Sequence, residues 1–357
     1  MVAIASVHGV LAPHRFTRHE LTPMVDRMIA PDGSRTDMVS RVHGATGVEA
    51  RHLALPLAAY PRLAGFEEAN DAFIRVGLDL GAAAVAGALD RAGLEPRDVD
   101  LIMCASVTGV AVPSLDARLV DLLGLRPDVR RLPVFGLGCV AGAAGVARLR
   151  DYLLGSPDSV AVLLCVELCS LTLQRGDDSM AGIVASGLFG DGAAAAVLVG
   201  SGRAAALGVT GPRVVASRSR LYPDTQDAMG WEVSGSGFRV VLSADVPAIV
   251  AQHVRADVES FLADHGLGLA DVATWVSHPG GPRVLRALED ALDLRDGQLR
   301  ASWRSLRSIG NLSSASVLHV LRDTLAGDGV PVPTPGTPGV LLALGPGFCA
   351  ELVLLRW

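Results

Sequence analysis

Cys139 stands in FGLGCVAGAAGVARL, directly after a glycine-rich turn and directly before a run of small residues with helical character. That spacing predicts a sulfur at the amino end of a helix, where the helix-end partial charge favours thiolate. Beside an imidazolium such a cysteine reaches a pKa of roughly 3.5 to 7.5 and is a nucleophile at neutral pH. Gly136, Gly138 and Gly142 leave room for a substrate chain to approach the backbone closely. His278 closes the apolar stretch TWVSHPGGP, where Pro279, Gly280 and Gly281 turn the chain. Asn311, in SIGNLSSASV, begins another helical run and serves both as an N-cap and as a source of amide N–H groups. A thiolate, an imidazole and a carboxamide suit thioester chemistry in which carbon, not water, is the second nucleophile. A malonyl thioester that loses carbon dioxide becomes an enolate, and donors from His278 and Asn311 would stabilise its oxygen. The enolate would then attack an acyl group held on Cys139. No catalytic carboxylate is evident.

These residues come together only if two similar halves bring them together. GCVAGAAGVARLRDYL from Gly138 lies over GNLSSASVLHVLRDTL from Gly310, 172 residues on, so that Asn311 is the counterpart of Cys139. Upstream, RDVDLIMCAS and ADVATWVSHP correspond, and downstream FGDGAAAAVLV and LGPGFCAELVLL each lead from a Gly-x-Gly turn into a strand. Apolar runs of strand length, such as VAVLLCV, alternate with amphipathic stretches such as IRVGLDLGAAAVAGALDRAGL, which predicts an α/β fold with buried strands under helices. The strand pattern breaks in GSGRAAALGVTGPRVVASRSR, which marks the boundary, and PVPTPGTPG from Pro331 is a surface loop.

Composition removes several alternatives. All 31 basic residues are arginine, so lysine Schiff bases, PLP lysines, Walker lysines and the kinase strand lysine are excluded. A net charge of −6 provides no general field for nucleic acid. Five cysteines, odd in number and set in apolar runs, fit a reducing, cytoplasmic compartment. Cys165 and Cys169 form a C-x3-C pair without further ligands and read as strand thiols, so no metal site is expected. MVAIASVHGVLAP has no basic residue ahead of its apolar stretch, and no apolar run approaches about 18 residues, so neither a signal peptide nor a membrane insertion is expected.

The sequence resembles the type III polyketide synthases, the chalcone-synthase-like branch of the thiolase superfamily. GLGCVAGAAG, LFGDGAAAAVLVG, VSHPGGPRVL, GNLSSASVLHVL and GPGFCAELVLL carry the resemblance, in the family's order from about Val99 to the end. HPGGP together with GNxSSA separates this branch from the fatty-acid initiation synthases. The resemblance implies a thiolase-like five-layered αβαβα sandwich of two duplicated halves, 1–205 with the nucleophilic cysteine and 206–357 with the histidine and asparagine. It implies a homodimer that uses acyl-CoA and malonyl-CoA as substrates without a bound cofactor. It makes Cys139 the acyl carrier, His278 and Asn311 the decarboxylation and oxyanion site, and Phe189 a gatekeeper at the cavity mouth. Starter-pocket positions fall at Cys169, Thr172 and Ser313, and CoA-binding positions at Arg41 and Arg51, with His52 nearby. VELCSLTLQRGD and GWEVSGSGFRVVLSADVP look most like bacterial alkylresorcinol and alkylpyrone synthases, which implies a fatty acyl starter and closure to a resorcinol or pyrone. Two further readings stay open: an initiation-type β-ketoacyl-ACP synthase that condenses once, and a non-catalytic thiolase-fold dimer partner or acyl-binding scaffold.

Overall fold

The computed structural model describes residues 1–295 and 297–357. Its strands are β1 (Ala3–Leu11), β2 (His14–Thr17), β3 (Ala50–Leu53), β4 (Leu101–Ala105), β5 (Arg130–Val134), β6 (Val160–Leu168), β7 (Asp191–Val199), β8 (Arg213–Leu221), β9 (Met229–Ser234), β10 (Gly237–Leu242), β11 (Thr274–Ser277), β12 (Pro338–Gly345) and β13 (Cys349–Arg356). Its helices are α1 (Arg18–Ile29), α2 (Thr36–Ala45), α3 (Phe66–Ala92), α4 (Leu115–Leu123), α5 (Ala141–Leu154), α6 (Met180–Leu188), α7 (Ser201–Leu207), α8 (Val246–Ala263), α9 (Pro282–Leu292), α10 (Arg300–Ile309) and α11 (Ser316–Ala326).

Nine strands form one sheet in the order β11-β12-β13-β8-β1-β7-β6-β4-β5. The repeat is visible in its pairing. In the first half β4 runs parallel to β6, which is antiparallel to β7; in the second β11 runs parallel to β12, which is antiparallel to β13. The halves join where β1 meets β8 at Ala3 and Arg213.

Alternation of side chains along these strands creates the layers, because successive residues of a strand point to opposite faces. On β7, Ala193, Ala195, Val197 and Val199 pack toward α3, whose Phe73, Val76, Leu80, Ala84 and Ala88 share their core cluster. Ala194, Ala196 and Leu198 of the same strand face inward, where Ala143, Val146 and Ala147 of α5 meet Val317, Leu318 and Leu321 of α11. On β12, Leu341 and Ala343 join that inner layer, while Val340, Leu342 and Leu344 pack outward against Val250 and Val254 of α8 and Leu285 of α9. The result is the five-layered αβαβα sandwich. The helix α3 is long and apolar enough by composition to cross a membrane, yet its apolar stripe is buried against the sheet.

The inner helices touch at Gly142, where a Cβ would stand 2.5 Å from the Ser314 carbonyl oxygen and 2.5 Å from Val317 Cγ1. The first half therefore needs glycine there for the second to fit. One expectation fails: RVVASRSRL, taken as part of the break between halves, is the strand β8. Its arginines mask the pattern because they pair with acids of α8 and the residue after it, Arg218 with Asp264 and Arg220 with Asp257.

Candidate active site

Cys139 sits in a 3-10 turn, Gly138–Val140, that runs directly into α5. Gly138 adopts φ +55°, and a Cβ on it would lie 2.6 Å from Pro346 Cγ, so the bare turn lets the loop between β12 and β13 rest on it. The thiol is buried and donates to Ser313 Oγ, 3.7 Å away in the other half. The sequence leads to an expected thiolate, but burial pushes the Cys139 thiol up to about 12, with the Ser313 hydrogen bond acting in the opposite direction. Desolvation outweighs the helix end for the sulfur alone, so ionisation calls for a compensating cation.

His278 follows β11 and extends its ladder, donating its backbone N–H to Leu342 O at 2.8 Å. Its ring is buried, and neither Nδ1 nor Nε2 has a partner among the described residues. Burial draws the imidazole down to about 3, so it is neutral at pH 7, with one N–H and one lone pair uncommitted. Transfer of the thiol proton to this ring would leave each charge with a counter-ion.

Asn311 is held on every side. Its backbone N–H donates to Leu188 O and its carbonyl accepts from Gly190 N, each at 2.9 Å, tying it to the segment that carries Phe189. Its Oδ1 accepts from Ser313 N at 2.8 Å and from Ser316 Oγ at 3.4 Å, a turn one residue ahead of the N-cap, which is Leu312 in place of the expected Asn311. Its Nδ2 donates to Gly280 O at 3.2 Å, which uses one of two amide hydrogens.

Behind the site lies Glu167, which sequence reasoning missed. Its carboxylate accepts from Thr108 Oγ1 at 2.9 Å, Val107 N at 3.2 Å and Ser106 Oγ at 3.4 Å in its own half, and from Ser314 Oγ across the seam. Burial raises its pKa, against these donors. The available signal was one acid inside the otherwise apolar VAVLLCVEL of β6, a residue type rarely buried without partners.

Cys139, His278 and Asn311 line one cavity of about 710 Å³, counting space open to solvent, together with Phe189, Cys169 and Ser313. A second chamber of about 610 Å³ adjoins it and shares Cys169, Phe189, Trp231 and Val240 as a common wall. Trp231 and Val240 are cross-strand partners in the β9–β10 hairpin, the segment GWEVSGSGFRVVL whose sequence carried the finer resemblance, and they line both spaces. Thr172 lies at the far end of the 3-10 turn Cys169–Thr172 and lines the adjoining rear chamber, not the cavity of Cys139 itself. Arg41 is exposed on α2 and lines neither chamber. Arg51, the other expected CoA-binding position, is only 4 % exposed and stands in the wall of the rear chamber, with Nη1 donating to Ser186 O and, at 3.1 Å, to Phe189 O. His52 is partly buried and bonds through Nδ1 to Ala12 O.

A thiol, a free imidazole and an oriented amide at one cavity fit acyl transfer followed by capture of a developing oxyanion. Family models for the chalcone and stilbene synthases match the chain, the N-terminal domain over residues 57–203 and the C-terminal domain over 213–357. A 1,3,6,8-tetrahydroxynaphthalene synthase from Streptomyces peucetius subsp. caesius is 55 % identical over 355 residues, covering 99 % of this chain and 93 % of that protein. A putative chalcone synthase from Bacillus subtilis (strain 168) is 34 % identical, covering 87 % of this chain and 86 % of that one. The crystal structure of 1,3,6,8-tetrahydroxynaphthalene synthase from Streptomyces coelicolor A3(2), a bacterial type III polyketide synthase, superposes with a TM-score of 0.92 at 32 % identity, covering 99 % of both chains. The chain therefore belongs to the chalcone and stilbene synthase family and is a type III polyketide synthase, an acyltransferase of the thiolase fold.

Proposed function

We propose that malonyl-CoA serves this enzyme as starter as well as extender, and that the chain closes to a fused-ring phenol of the tetrahydroxynaphthalene type. The observation that carries this reading is the 55 % identity, along 99 % of the chain, to a protein named for that product. Cys139 gives its proton to His278 and attacks the starter thioester; the C–S bond to CoA breaks and CoA thiol leaves with a proton. Decarboxylation of the next malonyl-CoA breaks its C–C bond and leaves the electron pair as an enolate. The enolate oxygen takes hydrogen bonds from His278 and from the second amide hydrogen of Asn311. Its carbon then attacks the Cys139 thioester and releases the thiolate, and the extended chain returns to the sulfur for another round. Phe189, in the wall between chambers, gates the passage of the chain, and Cys169, Ser313 and, deeper, Thr172 shape the space it fills.

A second reading, a fatty acyl starter closed to a resorcinol or pyrone, is favoured by one feature: Leu21, Met24, Val25 and Ile29 of α1 give the rear chamber an apolar wall. Mass spectrometry of products from malonyl-CoA alone, and then with acyl-CoAs of graded length, tests both. A cyclised pentaketide from malonyl-CoA alone is expected. Products formed only with a long acyl-CoA present would replace the first reading with the second, and a single β-ketoacyl product would point to the single-condensation alternative. We assign the nucleophile to a half spanning 1–205 and its partners to a half spanning 206–357, in line with the repeated strand pairing. A homodimer is supported by the edge strand β5, beside which Val110, Val112, Leu132 and Phe135 stand exposed, a combination that calls for a covering surface.

A further inference from the structure

Arg51 is the least expected feature of the rear chamber. Its stem runs past Gly190 and Gly310, where a Cβ would stand 3.6 Å from Arg51 Cβ and 3.2 Å from Arg51 Cγ, respectively. Its Nη1 is committed to the carbonyls of Ser186 and Phe189, but Nε and Nη2 have no protein acceptor among the described residues. No carboxylate lies within salt-bridge distance of it among those residues either. Asp191, whose charge bears on Arg51, accepts instead from Ala54 N and Ser170 N, at 2.7 and 2.8 Å. A buried guanidinium without a direct counter-ion is costly, and its free fork matches a carboxylate. Burial lowers it only to about 10, so it is cationic at neutral pH.

A malonyl group on Cys139 carries its carboxylate at the end remote from sulfur. Each condensation inserts two carbons between the two, which drives that anionic end away from Cys139. The space that adjoins the Cys139 cavity past Cys169 and Phe189 is the chamber that Arg51 lines. We infer that the rear chamber receives the distal end of the thioester-bound chain and that Arg51 binds its terminal carboxylate. This inference rests on the malonyl-starter reading above.

The test compares loading of Cys139, by intact mass, from adipoyl-CoA and hexanoyl-CoA, which differ at the sixth carbon by a carboxylate in place of a methyl group. It is run on the wild-type enzyme and on Arg51→Met. The wild-type enzyme is expected to favour adipoyl, and Arg51→Met to shift the ratio toward hexanoyl by about 10- to 100-fold, the range for a hydrogen-bonded charge. Should Arg51→Met fail to fold for want of a donor to Ser186 O and Phe189 O, the wild-type ratio decides, and rejection of adipoyl overturns the inference. A folded Arg51→Met with the wild-type ratio also overturns it. Preference for adipoyl in an enzyme that makes no product from malonyl-CoA alone would sink the starter reading and uphold the carboxylate site.

Discussion

The turn that carries Cys139 in the first half and the one that follows Asn311 in the second are built alike and equipped differently. Each is a 3-10 turn that runs into an inner helix, α5 or α11. In the first, glycines stand at 136, 138 and 142 and the thiol has one long hydrogen bond. In the second, Asn311 has hydrogen bonds on backbone and side chain alike, and Ser313, Ser314 and Ser316 add more. The strands differ in the reverse sense. The loop after β4 spends Ser106 and Thr108 on Glu167, whereas its counterpart after β11 presents His278 with both ring nitrogens free. Duplication thus supplied one scaffold twice, and each half keeps one uncommitted reactive group while fixing the polar groups around it. Groups that react should cost little stability to remove, and groups that fix them should cost much.

The sharpest check on that contrast is Glu167→Ala, which strands four donors at once, three hydroxyls and one backbone N–H, and leaves a cavity. A loss of about 3 kcal/mol or more in unfolding free energy is expected, measured by urea denaturation, and a loss below about 1 kcal/mol would mean that the carboxylate does not tie the halves together. Gly142→Ala comes next, because its methyl group would meet the Ser314 carbonyl at 2.5 Å. About 1 to 3 kcal/mol is expected from forcing α5 and α11 apart, with a fall in turnover as Asn311 and Cys139 separate. Tolerance of alanine at this position would show that the inner layer is slack. The smallest stability effect belongs to His278→Phe, which replaces an unpaired buried ring by one of similar shape. It should stay within about 1 kcal/mol of the wild type while condensation is lost, and a larger cost would reveal a structural hydrogen bond to the imidazole.

Much of this arrangement was legible in the sequence, because glycine spacing, strand-end position and an internal repeat are local signals. Cys139, His278 and Asn311 needed only those signals to be placed at one cavity, and continuous apolar runs such as VAVLLCV were enough for strands covered on both faces. What could not be read depended on distant chain. Arg51 looks like a surface cation in ARHL, and its burial is decided by Gly190 and Gly310, far away in sequence. Thr172 is three residues from Cys169, and the 3-10 turn between them carries it out of the cavity of Cys139 and into the rear chamber. The strand β8 was hidden because its arginines pair with acids of α8 and the residue after it, not with water alone. The position of the thiol at a helix start was visible, whereas the desolvation that opposes its ionisation belongs to the assembled core.

The halves divide the labour: Cys139 captures the acyl group, with His278 as its base, and His278 and Asn311 serve decarboxylation. Acyl adducts by intact mass and carbon dioxide release from carboxyl-labelled malonyl-CoA, followed on the same preparations of Cys139→Ala, His278→Ala and Asn311→Ala, separate the two steps. Cys139→Ala should carry no adduct; Asn311→Ala should be acylated like the wild type and His278→Ala more slowly, for want of the base that takes the thiol proton, and both should release carbon dioxide about 10²- to 10³-fold more slowly than the wild type. An acyl adduct on Cys139→Ala, or undiminished release from both His278→Ala and Asn311→Ala, would contradict this division of labour.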